Sequence, residues 1–255
     1  MKNNNILWDP GKKPKIIAVL PAYNAEKTIR ATYNDLPKDL IREVILVDDA
    51  SDDKTTETAK KLGITVYAHK LNKGYGGNQK TCYDEALRRN PDIVVMVHPD
   101  YQYDAKLVGV LCEPIVNGRA DVMLGSRIQT RTQVLAGGMP IWKYFANRFL
   151  TLFENLAMGL NLSEYHTGFR AFSAEVLKKV QYHKFSDDFV FDQQILISAL
   201  SYGFNISEIP VPCKYFPEAS SINFKRSTKY GLQTLWTVLL YLLKQTKIFK
   251  SNLFE

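Results

Sequence analysis

Cysteine is scarce: Cys82, Cys112 and Cys213 are the only three in 255 residues, and they lie far apart. An odd, scattered set without metal-site spacing argues against a disulfide framework and fits a reducing compartment. Long apolar runs are missing too. The longest, 235–243, falls well short of the ~20 residues that cross a bilayer. The opening Met1-Lys2-Asn3-Asn4-Asn5 leads into no apolar stretch, so a secretory leader is not expected. Repeats and low-complexity blocks are absent. Acid is also missing near the C-terminal end: 219–254 holds no Asp or Glu.

The composition that remains, 45% apolar and 23% charged, is that of a globular chain and rules out wholesale disorder. Its length suits one large α/β domain, or a domain with an appendage. A formal net charge of +7 favours an anionic partner such as nucleic acid, nucleotide, phosphate or a membrane surface. No nucleic-acid-binding motif is present, so no nucleic-acid partner is expected.

Apolar runs at 15–20, 44–47, 65–68, 93–97 and 121–124 read as strands, separated by helical segments at 25–36, 55–62, 77–89 and 106–116. Asn24 is placed to cap the first helix, and 72–77 reads as a glycine-rich turn. Strands alternating with helices predict a doubly wound, mainly parallel sheet. The second half differs. An aromatic-rich helix is expected at 141–159, a turn-like connector at 165–170, a helix at 188–202, and an edge strand at 206–215 carrying Pro210 and Pro212.

Ligands of doubly wound sheets bind at the carboxyl ends of strands. Pro21-Ala22-Tyr23-Asn24, Asp48-Asp49, the glycine segment and His98-Pro99-Asp100 all fall there. A carboxylate at Asp48 or Asp49 can accept from a base or ribose, or it can cap the next helix, and the residues alone leave these near even. Asp52 and Asp53 read as caps. Gly74, Gly76 and Gly77 fit no phosphate-loop spacing and taken alone mark a tight turn. His98, Asp100 and Gln102 alternate, so an extended segment would aim imidazole, carboxylate and amide to one side. That donor set suits a divalent cation such as Mg²⁺ or Mn²⁺; the alternative is a packed His98 and a capping Asp100.

Further along, Gly125-Ser126-Arg127 and Thr167-Gly168-Phe169-Arg170-Ala171-Phe172 complete an ordered set with Val47-Asp48-Asp49-Ala50-Ser51-Asp52-Asp53, Gly74-Tyr75-Gly76-Gly77-Asn78 and Pro99-Asp100-Tyr101-Gln102. Together these resemble the inverting family 2 glycosyltransferases, in particular the dolichol-phosphate mannosyltransferase-like, polyprenyl-phosphate branch, over about 16–231. The resemblance implies a GT-A fold with a nucleotide-sugar site at the strand ends, and a divalent metal. Pro21 and Tyr23 would line the nucleoside pocket, Asp49 would meet the base or ribose, and Gly76 would lie beside the donor. The metal segment falls on His98, Asp100 and Gln102, with histidine standing where the family has its first aspartate. Arg127, Arg170, Arg226 and Lys229 are the candidates for holding phosphate, although Asn223 stands where the family has an arginine.

The resemblance therefore implies transfer of a sugar from a UDP- or GDP-sugar to a polyprenyl phosphate, with Asp100 and Arg127 at the reacting centre. The acceptor phosphate oxygen is already anionic, so such a transfer needs no strong base. A hydroxyl acceptor in polysaccharide synthesis would need one, and Asp192 is the candidate, an exposed helix face being the alternative. Residues 1–218 are expected to form the catalytic domain, and 219–255 a basic amphipathic helical segment on that domain or on the membrane. Phe145, Phe149, Leu152 and Phe153 could form a second lipid-facing surface or a core. The expected location is cytoplasmic, peripheral on the inner face of the membrane; a homo-oligomer stays open.

Overall fold

The computed structural model describes residues 13–128, 130–215 and 224–246. Seven strands, β1 (Ile16–Ala22), β2 (Ile41–Asp48), β3 (Thr65–Ala68), β4 (Ile93–Met96), β5 (Val122–Ser126), β6 (Arg170–Ser173) and β7 (Ile206–Pro210), form one sheet in the order β3-β2-β1-β4-β6-β5-β7. All neighbours pair in parallel except β6, which runs antiparallel to both β4 and β5. The helices are α1 (Ile29–Asp35), α2 (Thr55–Lys61), α3 (Gly74–Leu87), α4 (Val108–Val116), α5 (Arg131–Ala136), α6 (Ile141–Met158), α7 (Ala174–Lys179), α8 (Phe191–Ser201) and α9 (Phe224–Gln245).

The inner strands are apolar throughout because both faces are covered. In β1, Ile17 and Val19 enter a core shared with Tyr83 of α3 and Phe191 of α8, while Ala18 and Leu20 enter the opposite core with Leu111 and Ile115 of α4. This is the two-residue alternation of a strand sorted into two layers. β1 sits where the strand order reverses, between β2 and β4, so the carboxyl ends of these three strands open into one crevice. α9 packs against α6 and α8.

Several local expectations are corrected. α1 starts at Ile29, not at 25. Asn24 takes a left-handed φ of 52° and its Oδ1 accepts from Asp52 N at 3.0 Å, so it clips two loops together instead of capping. The glycine segment is no separate turn, since Gly74 begins α3. The connector at 165–170 runs into an unforeseen strand, β6, whose four residues are all buried. β7 is an edge strand as expected but stops at Pro210. Beyond it Cys213 keeps only an isolated antiparallel bridge to Tyr103, because proline cannot donate to a ladder. The 218/219 boundary and Asn223 lie outside the described residues.

Candidate active site

Pro21 is buried in β1 and Tyr23, just past the strand, is 55% exposed at the crevice. Asp48 ends β2 and Asp49 follows it, both buried. Asp48 accepts from Ser51 N at 3.0 Å and from the Ser51 hydroxyl. Asp49 has a different task. Its Oδ1 accepts from Lys73 N at 2.8 Å and pairs with His69 Nδ1 at 2.7 Å, and its Oδ2 accepts from Gly74 N at 3.0 Å. The carboxylate therefore holds the N-terminus of α3, where helix N–H groups and the helix dipole favour negative charge. Asp53 accepts from Thr55 N and Glu26 N, tying the start of α2 to the loop after β1, although the N-cap position itself is Lys54.

The glycines of α3 have a packing reason. A Cβ on Gly76 would meet Ser186 O at 2.4 Å and Phe191 Cβ at 2.8 Å, and one on Gly74 would meet Asp187 O at 2.7 Å. The Gly76 N–H donates to Asp187 O at 2.7 Å. Gly76 thus lets the 186–187 segment lie against the first turn of α3, and its amide is spent on that contact.

The segment after β4 is not extended as expected. Tyr101 adopts φ of 59°, and Asp100 Oδ1 accepts from Gln102 N at 3.1 Å, so 98–102 is a turn. Asp100 and Gln102 are both buried. His98 lies nearly parallel to the Tyr75 ring at 5.5 Å, with Nε2 3.3 Å from Tyr75 Oη. A Cβ on Gly168 would meet His98 Nε2 at 2.6 Å, so the connector packs on the imidazole. Burial pushes the His98 pKa down; Asp100 and Asp192 partly offset this and Arg170 adds to it. The neutral imidazole that results is the form that can ligate a metal. Among the described residues no three His, Cys, Asp or Glu side chains cluster as a metal site. One carboxylate with an amide oxygen still fits a hard cation, because Mg²⁺ is commonly held by one or two carboxylates together with substrate phosphates.

The basic candidates separate into three places. Arg170 is fully buried: its guanidinium donates to Tyr165 O at 2.8 Å, Asp192 O at 3.0 Å and Thr167 O, and lies 3.4 Å from Asp192 Oδ2. Asp192 also accepts from Tyr75 Oη at 2.9 Å and Gln79 Nε2 at 3.0 Å, so it is buried rather than on an exposed helix face. Arg127, at the end of β5, pairs with the fully buried Glu164 and donates to Tyr215 Oη at 2.9 Å and His166 O at 2.6 Å. Burial pushes the Glu164 carboxyl up, but the charge and hydrogen bonds of Arg127 prevail and hold it below the usual range. Arg226 and Lys229 lie in the first turns of α9 near Asp188, which Lys229 Nζ meets at 2.6 Å.

Four important side chains escaped the sequence: Tyr75, Gln79, Glu164 and Lys143. Lys143 of α6 stands near Arg127 and over the Tyr215 ring, and burial followed by the Arg127 charge lowers its pKa to about 8. Nothing in the local pattern separates a buried Glu164 or Lys143 from a solvated one; only Tyr75, inside the glycine segment, stood in a motif.

The strand ends thus carry buried acidic residues after β2 and β4, with Arg127 just past β5. The profile of the family described as Glycosyl transferase family 2 matches residues 17–181, and the chain belongs to that family. It is 33% identical over 215 residues to an uncharacterised protein of Methanocaldococcus jannaschii, covering 84% of this chain and 88% of that one. It is 28% identical over 217 residues to the UDP-N-acetylglucosamine–dolichyl-phosphate N-acetylglucosaminyltransferase of Methanococcus voltae, with coverage of 78% and 86%. Its fold matches glucosyl-3-phosphoglycerate synthase of Mycobacterium tuberculosis, solved with Mn²⁺, UDP and glucosyl-3-phosphoglycerate, at a TM-score of 0.68 and 20% identity, over 93% of this chain and 82% of that one. The GT-A architecture expected from the sequence is present.

Proposed function

We propose that this chain is an inverting transferase that moves a sugar from a nucleoside-diphosphate sugar to a polyprenyl phosphate. The observation that carries the choice of acceptor is the state of Asp192. Its carboxylate is engaged by Tyr75, Gln79 and Arg170, so it is ill placed to take a proton from an incoming hydroxyl. A phosphate acceptor asks for no such base. Its anionic oxygen attacks the anomeric carbon while the opposite bond breaks, and the diphosphate leaves with the bonding pair.

Pro21 and Tyr23 would flank the nucleoside, with Asp49 and Gly76 fixing the α3 end of the pocket. Asp100, Gln102 and His98 would hold Mg²⁺ or Mn²⁺, which offsets the charge developing on the leaving diphosphate. Arg127, with Lys143 beside it, would meet the acceptor phosphate, and Arg226 and Lys229 would draw it toward the site. Arg170 would act from beneath, orienting Asp192 and the connector. UDP is the favoured nucleotide, since the methanogen relative is named for a UDP-sugar.

A lipid acceptor requires access to a bilayer. Among the described residues no helix is long and apolar enough to cross one. Yet Ile141, Phe145, Phe149, Leu152 and Leu156 on α6, and Leu232 and Trp236 on the adjoining α9, are each more than half exposed. Exposed apolar side chains on two adjoining helices, beside the basic residues of α9, support peripheral attachment at the inner membrane face. A thermal-shift screen of UDP- and GDP-sugars with and without Mn²⁺ tests the donor. A ligand at a hundredfold over its Kd stabilises by about 2.7 kcal/mol, and no metal-dependent shift with any of them would remove the proposal's basis.

A further inference from the structure

Glu154 of α6 is fully buried, and both its carboxylate oxygens lack a hydrogen-bond partner. Its closest polar neighbour is His166 in the connector, whose Nε2, also without a hydrogen bond, lies 3.2 Å from Glu154 Oε2. On the other side of the ring, His166 Nδ1 lies 2.7 Å from Tyr230 Oη of α9 and 3.0 Å from the side-chain amide of Gln193 on α8. Gln193 Oε1 lacks a partner as well. A charged carboxylate buried with at most one donor costs several kcal/mol. The neutral Nε2–H tautomer gives the carboxylate one donor at this distance but leaves its charge unbalanced.

One additional proton removes that charge. With it, a hydrogen lies between Nε2 and the Glu154 carboxylate, and Nδ1–H can donate to Tyr230 Oη or to the Gln193 amide oxygen, the two ends of that amide being interchangeable by rotation. Without it, a net negative charge stays in a fully buried place.

We propose that Glu154 and His166 share a retained proton near neutral pH and act as positioning residues that lock the 162–169 connector and α9 to the catalytic core. The connector is what a shift of His166 would move. The His166 carbonyl accepts from Arg127, the Tyr165 and Thr167 carbonyls hold Arg170, and Gly168 packs on His98. Tyr230 carries the same lock to α9.

The groups that face the pair are Arg170 from β6, Tyr165 and Glu164 from the connector, Tyr230 from α9 and, through Tyr230, Asp192 from α8. Burial drives the Glu154 pKa up, and His166 and then Arg170 only partly offset it. A carboxyl raised in the folded state contributes stability that is fully present below the ordinary glutamate range and is lost as pH climbs through the folded value.

The test uses the full chain and Glu154→Gln, a neutral isostere, melted from about pH 5 to about pH 9. Wild type should lose Tm relative to the variant progressively as pH rises. Deuterium exchange in 162–169 and 224–246, corrected for intrinsic rate, should quicken with pH in wild type only. A difference in Tm that stays constant with pH, with no pH-dependent difference in exchange, is what a merely structural Glu154 would give, and would overturn the proposal. Should the variant fail to fold, carboxyl and imidazole NMR of wild type decides. An extra proton kept by the pair to neutral pH, read at either the carboxyl or the imidazole, supports the proposal, and an ionised carboxyl beside a neutral imidazole at pH 7 refutes it. None of these readouts depends on transferase activity.

Discussion

Asp192→Asn separates a catalytic from an architectural carboxylate, and the structure sets its cost. The substitution keeps the shape but removes the charge facing Arg170, which is wholly buried. It also places an NH₂ where Tyr75 Oη or Gln79 Nε2 now donates. Breaking a buried pair costs about 3–5 kcal/mol. Arg170 keeps its main-chain acceptors Tyr165 O, Thr167 O and Asp192 O, which argues for the lower end, about 3 kcal/mol. For a chain of this size each kcal/mol moves Tm by roughly 2–4 °C, so calorimetry should show a fall of about 6–12 °C. The double variant Asp192→Asn/Arg170→Met should fall further, because it also strips the donor from Tyr165 O, Thr167 O and Asp192 O. Well below its melting temperature the single variant should keep turnover within about tenfold, whereas loss of a general base costs 10²–10⁴-fold. A Tm within about 2 °C of wild type, together with a turnover loss beyond a hundredfold, would refute the structural assignment and restore Asp192 as the base.

Gly76→Ala should disorder the start of α3, because its Cβ would meet Ser186 O at 2.4 Å; a melt unchanged from wild type would contradict this packing. Lys143, with its pKa lowered to about 8 by burial and Arg127, costs stability while charged, a cost relieved as pH rises from about 8 toward its ordinary value. Lys143→Met should therefore raise Tm at pH 7, by a margin that shrinks with increasing pH; a margin that grows with pH would reverse the sign and the argument. Phe149→Glu and Trp236→Glu alter side chains that are 64% and 60% exposed. They should leave Tm within about 2 °C and abolish flotation with anionic vesicles, and full retention on the vesicles would remove α6 and α9 as the lipid-facing surface.

The parallel half of the sheet was legible because β1, β2 and β4 are apolar runs buried on both faces, each followed by the residues that occupy the crevice. β6 was not. Four residues in a motif-bearing connector look like a turn until β4 and β5 are seen on either side of it. The motif order located Asp49, Asp100, Arg127 and Arg170 in the chain, but their bonding partners are remote in sequence. Asp49 answers to Lys73 and Gly74, Arg127 to Glu164, and Asp192 to Tyr75 and Gln79. Those pairings, like the Gly76 contact with Asp187 and the main-chain acceptors of Arg170, are disclosed only by the folded chain. The exposure of Phe145, Phe149 and Leu152 on α6 likewise decides between the core and surface alternatives that the pattern left open.

The central claim is sugar transfer to a lipid phosphate through a metal site at Asp100. The direct measurement is the label passing from a radioactive UDP- or GDP-sugar into organic-extractable lipid when the protein is incubated with polyprenyl phosphate and Mg²⁺ or Mn²⁺. The account predicts lipid-linked sugar with wild type, lost on chelation, and lost in Asp100→Ala while that variant's melting temperature stays near wild type. Failure of wild type to label lipid with any donor, or an Asp100→Ala variant that labels it at the full rate, would contradict it.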